Sequence, residues 1–234
     1  MFFAATIAAL GIVGMIQGGF TQTWSGVPKG FPAREALAYL CALVSLATGI
    51  GLLWRRAAVL ASRALLTCLL LWLVLFRISH IFLVPTILDT WWGCGDTAVM
   101  AAGAWALYAR LAGGDRGLRL AGVLFGLAMI PFGVAHFTSL QDTAGLVPGW
   151  LPWHEAWASF TGAAFLAAGV AILIGVCARP AAVLSAVQMG LFTLLAWVPA
   201  IAAGPNAFQW SEFVDSWALT AGAWMVADSY RGDA

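Results

Sequence analysis

Residues 27–32 read VPKGFP and residues 147–152 read VPGWLP, nearly the same turn spelled twice, 120 residues apart. Each turn stands in a chain that is otherwise poor in polar residues: 62% of the residues are hydrophobic, 9% are charged, and mean hydropathy is +0.92. A soluble domain does not show that composition. The apolar residues come in runs about as long as the ~20 residues a helix needs to cross ~30 Å of hydrocarbon. Their spans are 2–20, 36–54, 57–78, 96–112, 118–137, 156–177, 181–203 and 212–229. Strict apolar/polar alternation, which a membrane barrel requires, is absent, so the backbone must satisfy itself helically. The expected fold class is all-α: a polytopic integral membrane protein with eight transmembrane helices, whose first partner is the lipid bilayer.

Both turns then fall between the first and second helix of a four-helix set. The match extends outward from them. Phe20–Thr21 answers Phe137–Thr138, Glu35–Ala36 answers Glu155–Ala156, RRAAVL at 55–60 answers RPAAVL at 179–184, Trp91 answers Trp210, and AGAW recurs at 102–105 and 221–224. The chain reads as a tandem internal repeat of about 117 residues, with 1–115 and 116–234 as two four-helix units of one continuous membrane body. An even helix count per unit makes the repeats parallel.

Basic residues in short loops stay on the cytoplasmic side. The side bearing both termini carries Arg55, Arg56, Arg63, Arg110, Arg116, Arg119, Arg179 and Arg231, eight in all, against Lys29, Arg34 and Arg77 opposite. The acids lean the other way, with Glu35, Asp89, Asp96, Asp142, Glu155, Glu212 and Asp215 outside and Asp115, Asp228 and Asp233 inside. The expected location is the cell inner (plasma) membrane with both termini cytoplasmic. Membrane topology accounts for the arginines, and a net charge of +1 leaves no footprint for nucleic acid. The opening MFFAATIAALGIVGMIQGGF lacks a basic n-region and corresponds to the internal run 118–137, so it reads as the first helix rather than a signal peptide. Met1 falls opposite Leu118, which leaves a slightly truncated start open.

Most polar residues have structural readings. Cys41, Cys68 and Cys177 are isolated in or beside apolar helices, and Cys94 alone approaches the outer face. His80, His136 and His154 lie in three segments without ligand-like spacing, so no metal is expected. Glu35 and Glu155 suit the positive end of a helix dipole, and the same reading applies to Asp96 and Asp215 at the expected starts of the last helix of each unit. Arg63 is placed to snorkel. Ala98/Ala102/Ala106, Ala218/Gly222 and Ser45/Gly49 look like close helix contacts. Trp24, Trp91, Trp92, Trp150, Trp153, Trp210 and Trp217 gather toward the outer side, as an aromatic belt or as walls of a pocket.

An outer cluster is left that one repeat has and the other lacks: Arg77 and His80 at the end of the third helix and His136 at the end of the fifth, against Ile201, Gly204 and Gly19. Either these groups sit wet at the interface, or they form a site in which histidine exchanges protons with a ligand. A site would open to the outer side, lined by Arg77, His80, His136, Trp91, Trp153 and Trp210.

The repeat unit resembles the DoxX-like membrane proteins. The likeness rests on a first helix ending in a polar turn, VPGWLP, a glycine-containing second helix, CARPAAVL, and WVPAIAAGPNAFQW before a last helix with AGAW. It covers nearly the whole chain once per half and is clearer in the second. The family takes its name from a membrane subunit of thiosulfate:quinone oxidoreductase, so the resemblance implies a redox accessory role. The lysine and glutamate of many members' first two helices are replaced here by Gly19 or His136 and by residues such as Leu43 or Ala163. Three readings follow: a membrane redox component that binds quinone or a sulfur compound, with no other cofactor evident; a non-enzymatic binder or carrier of a small lipophilic molecule; and an accessory that stabilises a membrane protein partner. No nucleophile with its base, phosphate loop, haem or iron–sulfur pattern occurs, so catalysis is not established from the sequence.

Overall fold

The computed structural model describes residues 1–83 and 88–232, so Asp233 and Ala234 lie outside it. Among the described residues there is no strand. The long helices are α1 (Phe2–Gln17), α2 (Arg34–Leu53), α3 (Ala58–Leu83), α4 (Leu88–Ala112), α5 (Asp115–Thr138), α6 (His154–Leu173), α7 (Ala178–Ala202) and α8 (Ala207–Ser229). A short helix, Leu140–Gly145, follows α5. Five of the long helices, α2, α3, α5, α6 and α7, are long and apolar enough to cross a membrane, and α1 is apolar but has 16 residues.

Polarity, not length, sets α4 and α8 apart. With 25 and 23 residues they span about 37 and 34 Å at ~1.5 Å per residue. Asp96 and Thr97 on α4, and Ser211, Asp215, Ser216 and Thr220 on α8, are buried in protein. These are the inner helices. They pack on each other, α3 packs on α4 and α7 on α8, while α1 lies between α2 and α8 and α5 between α4 and α6. Small residues permit the approach: Ala98, Ala102, Ala106 and Ala218 are enclosed, and a Cβ at Gly49 would lie 2.4 Å from the Ala8 nitrogen.

Two sequence expectations need correction. The last apolar runs were expected to begin at 96 and 212, but α4 begins at Leu88 and α8 at Ala207. Asp96 and Asp215 are therefore each the ninth residue of a helix, past the free N–H groups of the first turn, and they cap nothing. The cap of α8 is Asn206, whose side chain accepts from the Gln209 N–H at 2.8 Å while Gln209 reaches back to the Asn206 N–H at 2.9 Å. Glu35 and Glu155 do lie in the first turns of α2 and α6, where the dipole favours them. The second correction concerns Trp24, which is buried and donates its indole N–H to Ser45 Oγ at 2.8 Å rather than joining an interfacial belt.

Candidate functional site

The connection from α1 to α2 enters the bundle. Thr21, Thr23, Trp24 and Val27 are all buried, and Gln22–Trp24 forms a single 3₁₀ turn. Non-helical backbone inside a protein must find partners for its N–H and C=O groups. Three helices supply them. Thr23 donates both its N–H, at 3.1 Å, and its hydroxyl to Asp215 Oδ1 on α8. Thr97 on α4 is within 3.1 Å of the Thr23 carbonyl through its hydroxyl, and the Trp72 indole donates to the Ser25 carbonyl at 3.1 Å.

Arg77 completes the set. Its Nη2 donates to the Gln22 carbonyl and its Nε donates to Thr97 Oγ1 at 3.0 Å. Only 5% of this residue is exposed. It comes from Leu73–Ile78, a π-helical stretch of α3 that widens the helix where the guanidinium turns inward. Gly93 on α4 makes the space, since a Cβ there would lie 2.2 Å from Arg77 Nη1. Arg77 is also near enough for its charge to act on Asp215 and on the Cys94 thiol, and Asp96 acts on Cys94 in turn. A buried arginine that one repeat alone carries thus has a local task, holding an inserted loop.

His136 occupies a different setting, near the end of α5. It is 8% exposed, with its ring centroid 6.2 Å from Trp92 at 27° and 5.5 Å from Phe165 at 63°. Nδ1 lies 2.7 Å from the Phe132 carbonyl. Gly162 on α6 is what lets the ring in, because a Cβ there would lie 2.5 Å from His136 Cβ.

The other expected site residues are more exposed than Arg77 and His136. His80 is half-buried in the last turn of α3. Trp91 and Trp210 are 40% and 43% exposed, and Trp210 packs edge-on against Phe213. Trp153, 80% exposed, borders a hollow made by its own loop, Leu151–Ala156. A cavity of about 260 Å³ lies elsewhere, among Phe3, Leu52, Arg55, Leu107 and Met225. Sequence reasoning missed Thr23 and Thr97 as partners, placed Trp92 only among the outer tryptophans, and misassigned Asp96 and Asp215. One signal was available, the acid–hydroxyl pair written twice, Asp96–Thr97 and Asp215–Ser216, inside helices that were otherwise apolar.

Among the described residues no three of His, Cys, Asp and Glu gather as a metal site, and the four cysteines are free. No family model, curated protein or solved structure matches the chain.

Proposed function

We propose that this is a DoxX-like inner-membrane protein of two parallel four-helix repeats, crossing eight times with both termini cytoplasmic. In it, His136, flanked by the rings of Trp92 and Phe165, binds a quinone as the membrane accessory of a redox partner. The carrying observation is His136 itself, an ionisable side chain buried in an apolar helix long enough to span, walled by Trp92 and Phe165. Ionisable groups at membrane depth are expensive and mark functional sites by default. The quinone is the small lipophilic molecule whose flat ring suits aromatic walls and whose carbonyls take up protons when a redox partner reduces them to hydroxyls.

The helix limits support the repeat. α2 and α6 start 120 residues apart, as do α3 and α7, and α4 and α8 start 119 apart. The π-helical stretches of α3 and α7 begin at Leu73 and Thr193, also 120 apart. Left-handed Ala33 (φ 53°) and Trp153 (φ 58°) each follow the second proline of the repeated turn. In this register Trp197, not Ile201, stands opposite Arg77. The RRAAVL and RPAAVL match is displaced by four residues, because Arg55 precedes α3 whereas Arg179 lies inside α7.

Native mass spectrometry of the detergent-extracted protein is expected to detect a retained quinone. A retained lipid and no quinone favours the non-enzymatic binder, and a stoichiometric protein partner with no small molecule favours the structural accessory; either displaces the quinone reading. The orientation has its own check. Reporter domains fused after residue 234 are expected to be active on the cytoplasmic side, as the eight-to-three distribution of basic residues requires. External activity alone reverses the assignment.

A further inference from the structure

We infer that the His136 position is built to accept a hydroxyl hydrogen from a flat ring, so that it takes the reduced, quinol form of its ligand in preference to the quinone. This deepens the reading of the protein as a quinone binder and rests on it. The tautomer carries the inference. A carbonyl oxygen only accepts, so the 2.7 Å contact to Phe132 puts the hydrogen of the pair on His136 Nδ1. In a neutral imidazole the other nitrogen, Nε2, is then a bare lone pair. An imidazolium here would be a charge enclosed by Trp92, Phe132 and Phe165 with no carboxylate bonded to it among the described residues.

Among the described residues Nε2 has no hydrogen-bond partner, and it is not among the fully enclosed side-chain atoms left unpaired. An acceptor is therefore fixed in orientation by its own helix, not fully enclosed, and unused among the described residues. The neighbours restrict what reaches it. Trp92 and Phe165 flank the imidazole, and the glycine at 162 keeps the ring seated against α6. A quinone offers carbonyl oxygens, which meet the lone pair with like polarity. A quinol of the same size and shape offers O–H. The two forms differ in little else, so comparing them isolates this one hydrogen bond.

The experiment uses the full chain in detergent, titrated without oxygen with decylubiquinol and with decylubiquinone, and followed by tryptophan fluorescence. The quinol is expected to bind about tenfold more tightly, the factor that one satisfied rather than opposed hydrogen bond gives. In His136→Phe, which keeps a flat ring and removes the acceptor, the ratio is expected to fall to about one. Imidazole nitrogen NMR on the unaltered protein gives a second readout that survives if that variant does not fold, and it should show the hydrogen on Nδ1 at His136. Equal affinities, a preference for the quinone, or a hydrogen on Nε2 overturn the inference while the quinone-binding reading stands. Failure of the folded protein to bind either form overturns both.

Discussion

Replacing Arg77 by methionine is expected to destabilise the protein by about 3–5 kcal/mol, the range for removing one member of a buried charged set. Methionine keeps the apolar stem, so the loss reports the guanidinium. Three groups lose it together: the Gln22 carbonyl, the Thr97 hydroxyl and the Asp215 carboxylate on which its charge acts. Thr97 and Asp215 are enclosed and Gln22 is half-buried, so water does not replace the missing donor as freely as it would at a surface. The melting temperature in detergent is expected to fall by roughly 10 °C, at ~2–4 °C per kcal/mol for a chain of this size. Arg77→Lys should fall between the two, because an ammonium keeps the charge but lacks the fork that reaches Thr97 and Gln22 at once. An Arg77→Met protein that melts with the wild type removes the loop-holding role.

That role was half legible beforehand. Comparison of the two halves singled out Arg77 as a residue the shared fold does not demand, and it is buried. Of its partners, the Gln22 carbonyl left no trace in the pattern, because a backbone group is present at every position. Asp215 was visible but misread. Hydropathy counts exposure to lipid, and the apolar run reaches only as far as the lipid-facing residues do. α4 and α8 are wrapped by other helices, so they carry aspartate and hydroxyls through depths where α2 or α6 carries leucine and phenylalanine. Their true starts, at Leu88 and Ala207, are hidden for that reason. The outer helices were read well: α2 and α6 keep Glu35 and Glu155 in their first turns, where the charge–dipole argument puts them.

At the second group the error was one of helical phase. Sequence reasoning assigned Trp91 to the pocket, and it is Trp92 that turns its ring toward His136. Adjacent residues on a helix point ~100° apart, so an error of a single residue exchanges an inward ring for an outward one. The repeat could not correct it, since Trp91 answers Trp210 and both are part-exposed.

Adding one methyl group at Gly103 is expected to be as damaging as losing the arginine. Gly103 of α4 meets Gly222 of α8 backbone to backbone: a Cβ at 103 would lie 2.6 Å from the Gly222 Cα and 2.9 Å from its carbonyl oxygen. No rotamer change relieves that, because the obstacle is main chain. The two inner helices must move apart, and interiors this dense lose contacts along the whole seam when they do. Ala98, Ala102, Ala106 and Ala218 are enclosed and too short to fill the gap. The separation also reaches the inserted loop, for Asp215 lies seven residues before Gly222, on the same face and about 10 Å along the helix, and it holds Thr23. Gly103→Ala is therefore expected to cost about 3 kcal/mol, the upper end for overpacking a core. Gly222→Ala should cost clearly less, since a Cβ there meets nothing nearer than the Val99 carbonyl at 3.3 Å. Melting temperatures of the two variants decide the matter, and a Gly222→Ala protein less stable than Gly103→Ala would mean that the helices do not cross as described.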